Sequence, residues 1–277
     1  MIETMGKHKA PVRKIQAFQR AIWTFYKTNR RDFPWRNTTD PYKILVSEVM
    51  LQQTQTSRVE TKFEPFLEQF PSVEVLAQAS LADVLTAWQG LGYNRRAVAL
   101  AGAAKMLCEN FDGKIPNDQS VLVSLPGIGE ATAYAIRAYA FNEPVVFIET
   151  NIRRVFIHFF FADKEAVADA DIVPLVEYAL DRTRPREWYS ALMDYGAYLS
   201  KITKNPNRKS KHYLKQSRFE GSRRQARGAV LKFLLERGPS TKERIARQIK
   251  HRELEAGLAD LTQEGIVLKK KRTYAIR

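Results

Sequence analysis

Cysteine is almost missing from this sequence. One residue, Cys108, stands in a chain of 277. A single thiol excludes an intrachain disulfide and any zinc or iron–sulfur centre built on several thiolates. It also points to a reducing, intracellular setting, cytoplasmic or at the nucleoid. No apolar run is long enough to cross a bilayer, and residues 1–13 have no apolar core of the secretory kind, so no membrane partner is expected. Strand-like alternation is almost absent over the first 125 residues, and no internal repeat or low-complexity tract is visible. Excess charge is absent from most of the chain as well. Residues 1–199 carry 23 Lys/Arg and 23 Asp/Glu, whereas residues 200–277 carry 22 and 7, so the whole net charge of +15 lies in the last 78 residues. Either a solvated basic tail or a polyanion-binding surface would account for that, and the helical periodicity of the segment favours the surface.

What is present is organised around Leu125-Pro126-Gly127-Ile128-Gly129-Glu130-Ala131-Thr132-Ala133. Gly127 and Gly129 predict a tight turn needing unusual φ, leading into an Ala-rich helix over about 132–140. Outward amides at a positive helix end make a seat for a phosphate; a corner that only packs is the bland alternative. Downstream, Val145-Val146-Phe147-Ile148 delivers Glu149 to the start of another helix, about 152–161, where it is either a cap or a working carboxylate.

Upstream, the spacing predicts an amphipathic helix over about 11–28, then an extended Asp32-Phe33-Pro34-Trp35-Arg36. Asp40-Pro41 reads as an N-cap with proline at the first helical position, opening a helix to about Arg58. The first half of that helix is apolar nearly all round and holds Glu48 in its middle. A carboxyl there is either structurally paired or faces a cleft with a raised pKa, as general acid catalysis requires. Short helices are predicted over 73–78, 81–89, 94–110 and 119–125, and a longer one over 188–200. Gly90-Leu91-Gly92-Tyr93 followed by Arg95 and Arg96 suits stacking and phosphate contact, though Tyr93 could equally be core. Near the C-terminus, helices over 225–236, 241–250 and 253–264 precede strands at 266–268 and 273–276. Lys269-Lys270-Lys271-Arg272 lies at the bend, a winged-helix pattern.

Taken together, Phe33-Pro34-Trp35-Arg36, Asp40-Pro41-Tyr42-Lys43, Ser47-Glu48-Val49-Met50-Leu51-Gln52-Gln53-Thr54-Gln55, Gly90-Leu91-Gly92-Tyr93, the glycine hairpin and Met193-Asp194-Tyr195-Gly196-Ala197 resemble, in order and spacing, the helix–hairpin–helix DNA glycosylases, above all the MutY adenine glycosylases. The resemblance spans about residues 11–200. It implies an all-α, two-domain body: a six-helix barrel over 43–143 with the hairpin at 125–133, and a helical domain from 1–42 plus 144–200 that carries Glu149. A basic linker, 201–222, and a small α+β winged-helix-like domain, 223–277, would complete the chain.

The same resemblance implies that duplex DNA with a mismatched or damaged pair lies across the mouth of the cleft, one nucleoside flipped out. Glu48 would protonate the base and then activate water, and Glu149 would stabilise the sugar cation, a division of labour known for paired carboxylates in glycoside hydrolysis. Trp35, Arg36, Leu51 and Ser190 would line the base pocket. Gln52, Gln53, Tyr93, Arg95, Gly127, Ile128 and Gly129 would touch the duplex, with Lys269, Lys270 and Lys271 adding salt-dependent affinity. The enzyme would act as a monomer, need no metal cluster, hold at most a monovalent cation on hairpin carbonyls, and pass its product to an abasic-site endonuclease.

The departures are equally definite. Glu149 stands where the family has Asp, and the extra methylene moves its carboxylate by about an ångström. Ala131 replaces the Schiff-base lysine of bifunctional relatives, which removes a lyase step. Ser190 stands where MutY proteins present Gln or Glu to adenine. Ser200 takes the place of the first cluster cysteine, and the winged helix replaces the domain that recognises oxidised guanine. Excision of adenine opposite oxidised guanine or guanine is therefore the first expectation. Thymine or uracil excision opposite guanine, or a non-catalytic damage sensor, are the alternatives.

Overall fold

The computed structural model describes residues 12–213 and 218–277. The predicted helix start at Pro11 and part of the predicted linker lie outside the described residues. Among the described residues, fourteen α-helices and one small antiparallel sheet fall into two compact units, one of residues 40–128 with 218–277, the other of 12–39 with 129–213.

In the first unit, α2 (Pro41–Leu51) begins as read. Asp40 is its N-cap, accepting from the Tyr42 and Lys43 amides, and Pro41 needs no hydrogen-bond partner at that position. The predicted single helix to Arg58 is broken, however. The chain leaves α2 at Gln52, Gln53 takes a left-handed φ of 54°, and α3 (Thr56–Gln69) starts afresh. The cause lies far along the chain, where Arg96 captures the last carbonyls of α2, as described below. Then come α4 (Val73–Gln78) and α5 (Leu81–Ala87), capped by Ser72 and Ser80, followed by α6 (Arg95–Phe111) and α7 (Gln119–Ser124), the latter capped by Asp118. These six helices, α2 to α7, bury Leu45, Met50, Phe66, Leu76, Leu85, Trp88, Leu100 and Leu107.

The same unit includes α12 (Arg223–Arg237), β1 (Ser240–Thr241), α13 (Lys242–Gln248), α14 (Leu254–Gln263), β2 (Val267–Lys270) and β3 (Thr273–Ile276). The sheet order is β1-β3-β2, with Ser240 opposite Tyr274 and Lys270 opposite Thr273. This is the expected winged helix, with one addition: Ser240–Thr241, read only as a cap, also pairs as a strand. Gly257 lets α14 approach α12, since a Cβ there would lie 3.3 Å from that of Ala226.

The other unit gathers α1 (Val12–Asn29), a 3-10 turn (Pro34–Arg36), α8 (Glu130–Phe141), α9 (Thr150–Phe160), α10 (Asp169–Ala179) and α11 (Pro185–Ile202) around one aromatic-rich core. Phe18, Phe156, Trp188 and Tyr189 fill it. Two sequence expectations change here. The hairpin helix α8, expected with 43–143, belongs instead with the flanking segments, because Ala135 and Ala138 are buried in this core. The first half of the expected basic linker is packed rather than tethering. Pro206 and Asn207 are buried in a 3-10 turn, and Val167 bridges the two sides of Ser210, donating to Lys209 O and accepting from the Lys211 amide.

Candidate functional site

Glu48 is the opening in an otherwise closed wall. Ile44, Leu45, Val46, Ser47, Val49 and Met50 are all buried, while Glu48 between them is half-buried. The helix that carries it is held from its C-terminal end. One Arg96 nitrogen donates to the Val49 and Met50 carbonyls at 2.7 and 2.9 Å. The other reaches Thr54 Oγ1, Leu91 O and Gly92 O at 2.8, 3.3 and 3.1 Å. A cation satisfying the exposed carbonyls also complements the negative end of the helix dipole. Burial pushes the Arg96 guanidinium down to about 10, with Tyr93 working against the shift. The sequence suggests for Arg96 only an outward contact beside Arg95; its structural task has no local sequence signal.

The residues expected at the duplex partly gather in this unit. Gln52 donates from Nε2 to Gly127 O at 3.1 Å, joining the end of α2 to the glycine turn. Gly127 has φ +77°, and a Cβ there would sit 2.7 Å from that of Ala99, so the turn requires glycine on both counts. Gly127 and Gly129 are exposed. Ile128, expected as a DNA contact, is buried at 4% exposure and its amide donates to Leu125 O at 3.1 Å, so its side chain packs the turn inward. Tyr93 is exposed at a left-handed φ of 48°, its ring under the Arg96 guanidinium at 5.5 Å and near that of Arg224 at 5.9 Å. Arg224 also donates to the Tyr93 hydroxyl at 2.9 Å. Arg95 is largely exposed and faces Glu264 at 3.6 Å. Leu51 is half-buried and Gln53 exposed.

Glu149 sits in the other unit, positioned by its own side chain. As the N-cap of α9 it accepts the Asn151 and Ile152 amides on Oε1 at 2.6 and 2.9 Å. Burial raises its pKa against those two bonds and the charges of Arg154 and Arg153. The geometry thus shows the cap. Beneath it, buried Arg154 donates to Asn151 Oδ1 and Gly196 O at 2.6 and 2.8 Å. Gly196 allows α11 to touch α9, since a Cβ there would fall 2.6 Å from Asn151 atoms.

Of the residues expected at the base pocket, Arg36 reaches Ser190. Trp35 is buried and stacks on Phe33 at 4.9 Å and 7°. Arg36 forks onto both Asp194 oxygens at 2.7 and 2.8 Å and donates to Ser190 O at 3.3 Å. Arg31 adds two bonds to Asp194, from its amide at 3.0 Å and from Nε at 2.6 Å. Arg36 is thus a structural cation as well as a candidate pocket residue. The Met193–Ala197 motif has a physical explanation in Asp194 and Gly196, which lock the N-terminal segment and the α9 crossing. No group of three or more His, Cys, Asp or Glu among the described residues could hold a metal ion.

Comparison with known proteins agrees with this geometry. An adenine DNA glycosylase of Mycolicibacterium smegmatis is 39% identical over 179 residues, covering 64% of this chain and 61% of that protein. A thymine/uracil-DNA glycosylase of Methanothermobacter thermautotrophicus is 28% identical over 190 residues, covering 68% and 86%. The solved structure of a thermostable thymine-DNA glycosylase matches with TM-score 0.60 and 26% identity, over 67% of this chain and 87% of that one. The chain spans about three fifths of the length of the mycobacterial relative. Residues 46–172, which hold Glu48, Tyr93, the glycine turn and Glu149, match the model of the HhH-GPD superfamily base excision DNA repair proteins.

Proposed function

We propose that the chain is a monofunctional DNA glycosylase that hydrolyses the N-glycosidic bond of a flipped adenine opposite oxidised guanine or guanine. The observation that carries this reading is Glu48, a carboxyl let into the wall of an apolar helix whose end is fixed by Arg96. The protonated carboxyl gives its proton to a ring nitrogen of the base as the glycosidic bond breaks. The resulting carboxylate then takes a proton from the attacking water. Glu149, ionised, stabilises the positive sugar as the base departs. Ala131 provides no amine, so the chain forms no Schiff base and the abasic strand leaves uncut. The exposed glycine turn before α8 and the exposed basic residues supply phosphate contacts. The proposed substrate is therefore mismatched duplex DNA, and the protein acts within the cell as a monomer without a metal cluster.

A second reading changes the base. The thymine/uracil relative is matched over 86% of its own length, and the buried Ser190 offers no amide or carboxylate to an adenine edge. Thymine or uracil opposite guanine is then the substrate. Single-turnover release from duplexes with adenine opposite oxidised guanine, adenine opposite guanine, and thymine or uracil opposite guanine decides between them. Adenine release alone supports the first reading and pyrimidine release alone the second. Binding without release on every duplex overturns both in favour of a damage sensor.

A further inference from the structure

The winged-helix domain has its charges arranged the wrong way round for a groove-reading helix. In helix-turn-helix folds the reading element is the helix that enters the major groove by its N-terminal end, which here is α14. From Glu253 to Leu268 the sequence has four acidic residues and no Lys or Arg. Each acid is already engaged: Glu253 with Arg223 at 3.4 Å, Asp260 with Arg223 and Arg227 at 3.7 and 3.5 Å, Glu264 with Arg227 at 2.5 Å and Arg95 at 3.6 Å, and Glu255 with Lys242 at 2.5 Å. A helix entering a groove with Glu253 and Glu255 leading would meet phosphates on both sides with like charge.

The cations stand elsewhere. The hairpin β2–β3 closes through a two-residue turn, Lys271-Arg272, with Lys271 at φ +53°. Residues 268–272 are exposed, and the Lys269 ammonium lies over the Tyr274 ring at 5.6 Å. Thr241 pairs with Thr273, so the first turn of α13 begins beside the wing tip. Helix α13 and the residues after it expose Arg244, Arg247 and Lys250, against Glu243 as the one acid between 241 and 252.

We propose that this domain grips the phosphate backbone of duplex DNA through the wing, 269–272, together with Arg244 and Arg247, and that α14 enters no groove. It adds affinity without reading sequence or lesion, so the choice of base rests wholly with the glycosylase body. This rests on the DNA-acting reading above only for the choice of polyanion.

The test uses the full chain and a short undamaged duplex, with Kd followed by fluorescence anisotropy across a salt series. Replacing Lys269, Lys270 and Lys271 together by Ala lowers the slope of log K against log salt by about 2 to 3, at about 0.9 per lost phosphate contact, and weakens undamaged and mismatched duplexes equally. Lys270→Ala alone lowers it by about 1. Ala259→Glu, on the exposed face of α14, leaves Kd within about twofold, where a groove-reading helix would lose about 1–3 kcal/mol per disrupted base contact. An unchanged slope in the lysine variants, a tenfold loss in Ala259→Glu, or tighter binding to single-stranded RNA than to the duplex overturns the proposal. Base release is scored separately on the wild type, and its absence there would count against the glycosylase reading and leave the binding result intact.

Discussion

Glu48 and Glu149 are the two carboxylates proposed for the chemistry, and their surroundings solve the positioning problem in opposite ways. Glu48 is placed by main chain. Its helix is buried on its other faces, starts on the Asp40 cap and ends on Arg96. Glu149 is placed by its own oxygen, which caps α9 through two amides, over a network in which Arg154, Asn151 and Gly196 hold α9 against α11. The lesson is that the first carboxylate takes its position from the two ends of its helix. The second is part of the fold, and its chemistry and its capping cannot be separated by simple truncation.

The sharpest way to break the comparison is through Asp194, which anchors the Glu149 unit. Asp194→Asn leaves the Arg36 and Arg31 cations facing a neutral partner. Truncating one member of a buried charge network costs about 3–5 kcal/mol, so a marked drop in the denaturation midpoint is expected, and an unchanged midpoint would show that the network is dispensable. Next comes Arg96→Met on the Glu48 side. It keeps the aliphatic stem but strands the Val49 and Met50 carbonyls, at about 1–3 kcal/mol. Base release should fall together with stability, because the end of α2 frays. Release retained in a destabilised protein would mean that Glu48 does not depend on that anchor.

The smallest effect concerns pH. The Glu149 pKa is raised in the fold, mainly by burial, so the folded state binds that proton more tightly than the unfolded chain does. The associated stability is fully present below the ordinary value of 4.5 and is lost as pH rises through the raised one. Glu149→Gln keeps an oxygen for the cap and removes the titration. It should melt higher than the wild type at neutral pH, converge with it as pH falls towards 4.5, and lose base release. A wild type more stable than the variant at neutral pH would reverse the assigned sign.

Much of this was legible in the sequence where the signal is local. Asp40-Pro41, the paired glycines around Ile128, and the helix–helix–helix–strand–strand order of the C-terminal domain announce themselves within a few residues, whereas β1 does not. What failed to show depends on distant partners. The break at Gln52–Gln55 follows from Arg96, more than forty positions away by chain. Helix α10 gives no clear local signal, because Pro174 interrupts a short acidic segment whose burial comes from the aromatic core. The placement of α8 turns on small alanines, which carry no preference for one core over another. At the site, the residue types of Glu48 and Glu149 were readable, whereas the structural service of Arg36 and the inward turn of Ile128 were not.

One measurement bears most directly on the central claim: single-turnover adenine release from a duplex with adenine opposite oxidised guanine, comparing wild type with Glu48→Gln at saturating protein. The account predicts release by the wild type and a loss of about 10²–10⁴-fold in the variant, the range for a positioned general acid, with the variant still folded and binding the duplex. A Glu48→Gln protein that folds, binds and releases adenine at the wild-type rate would contradict it.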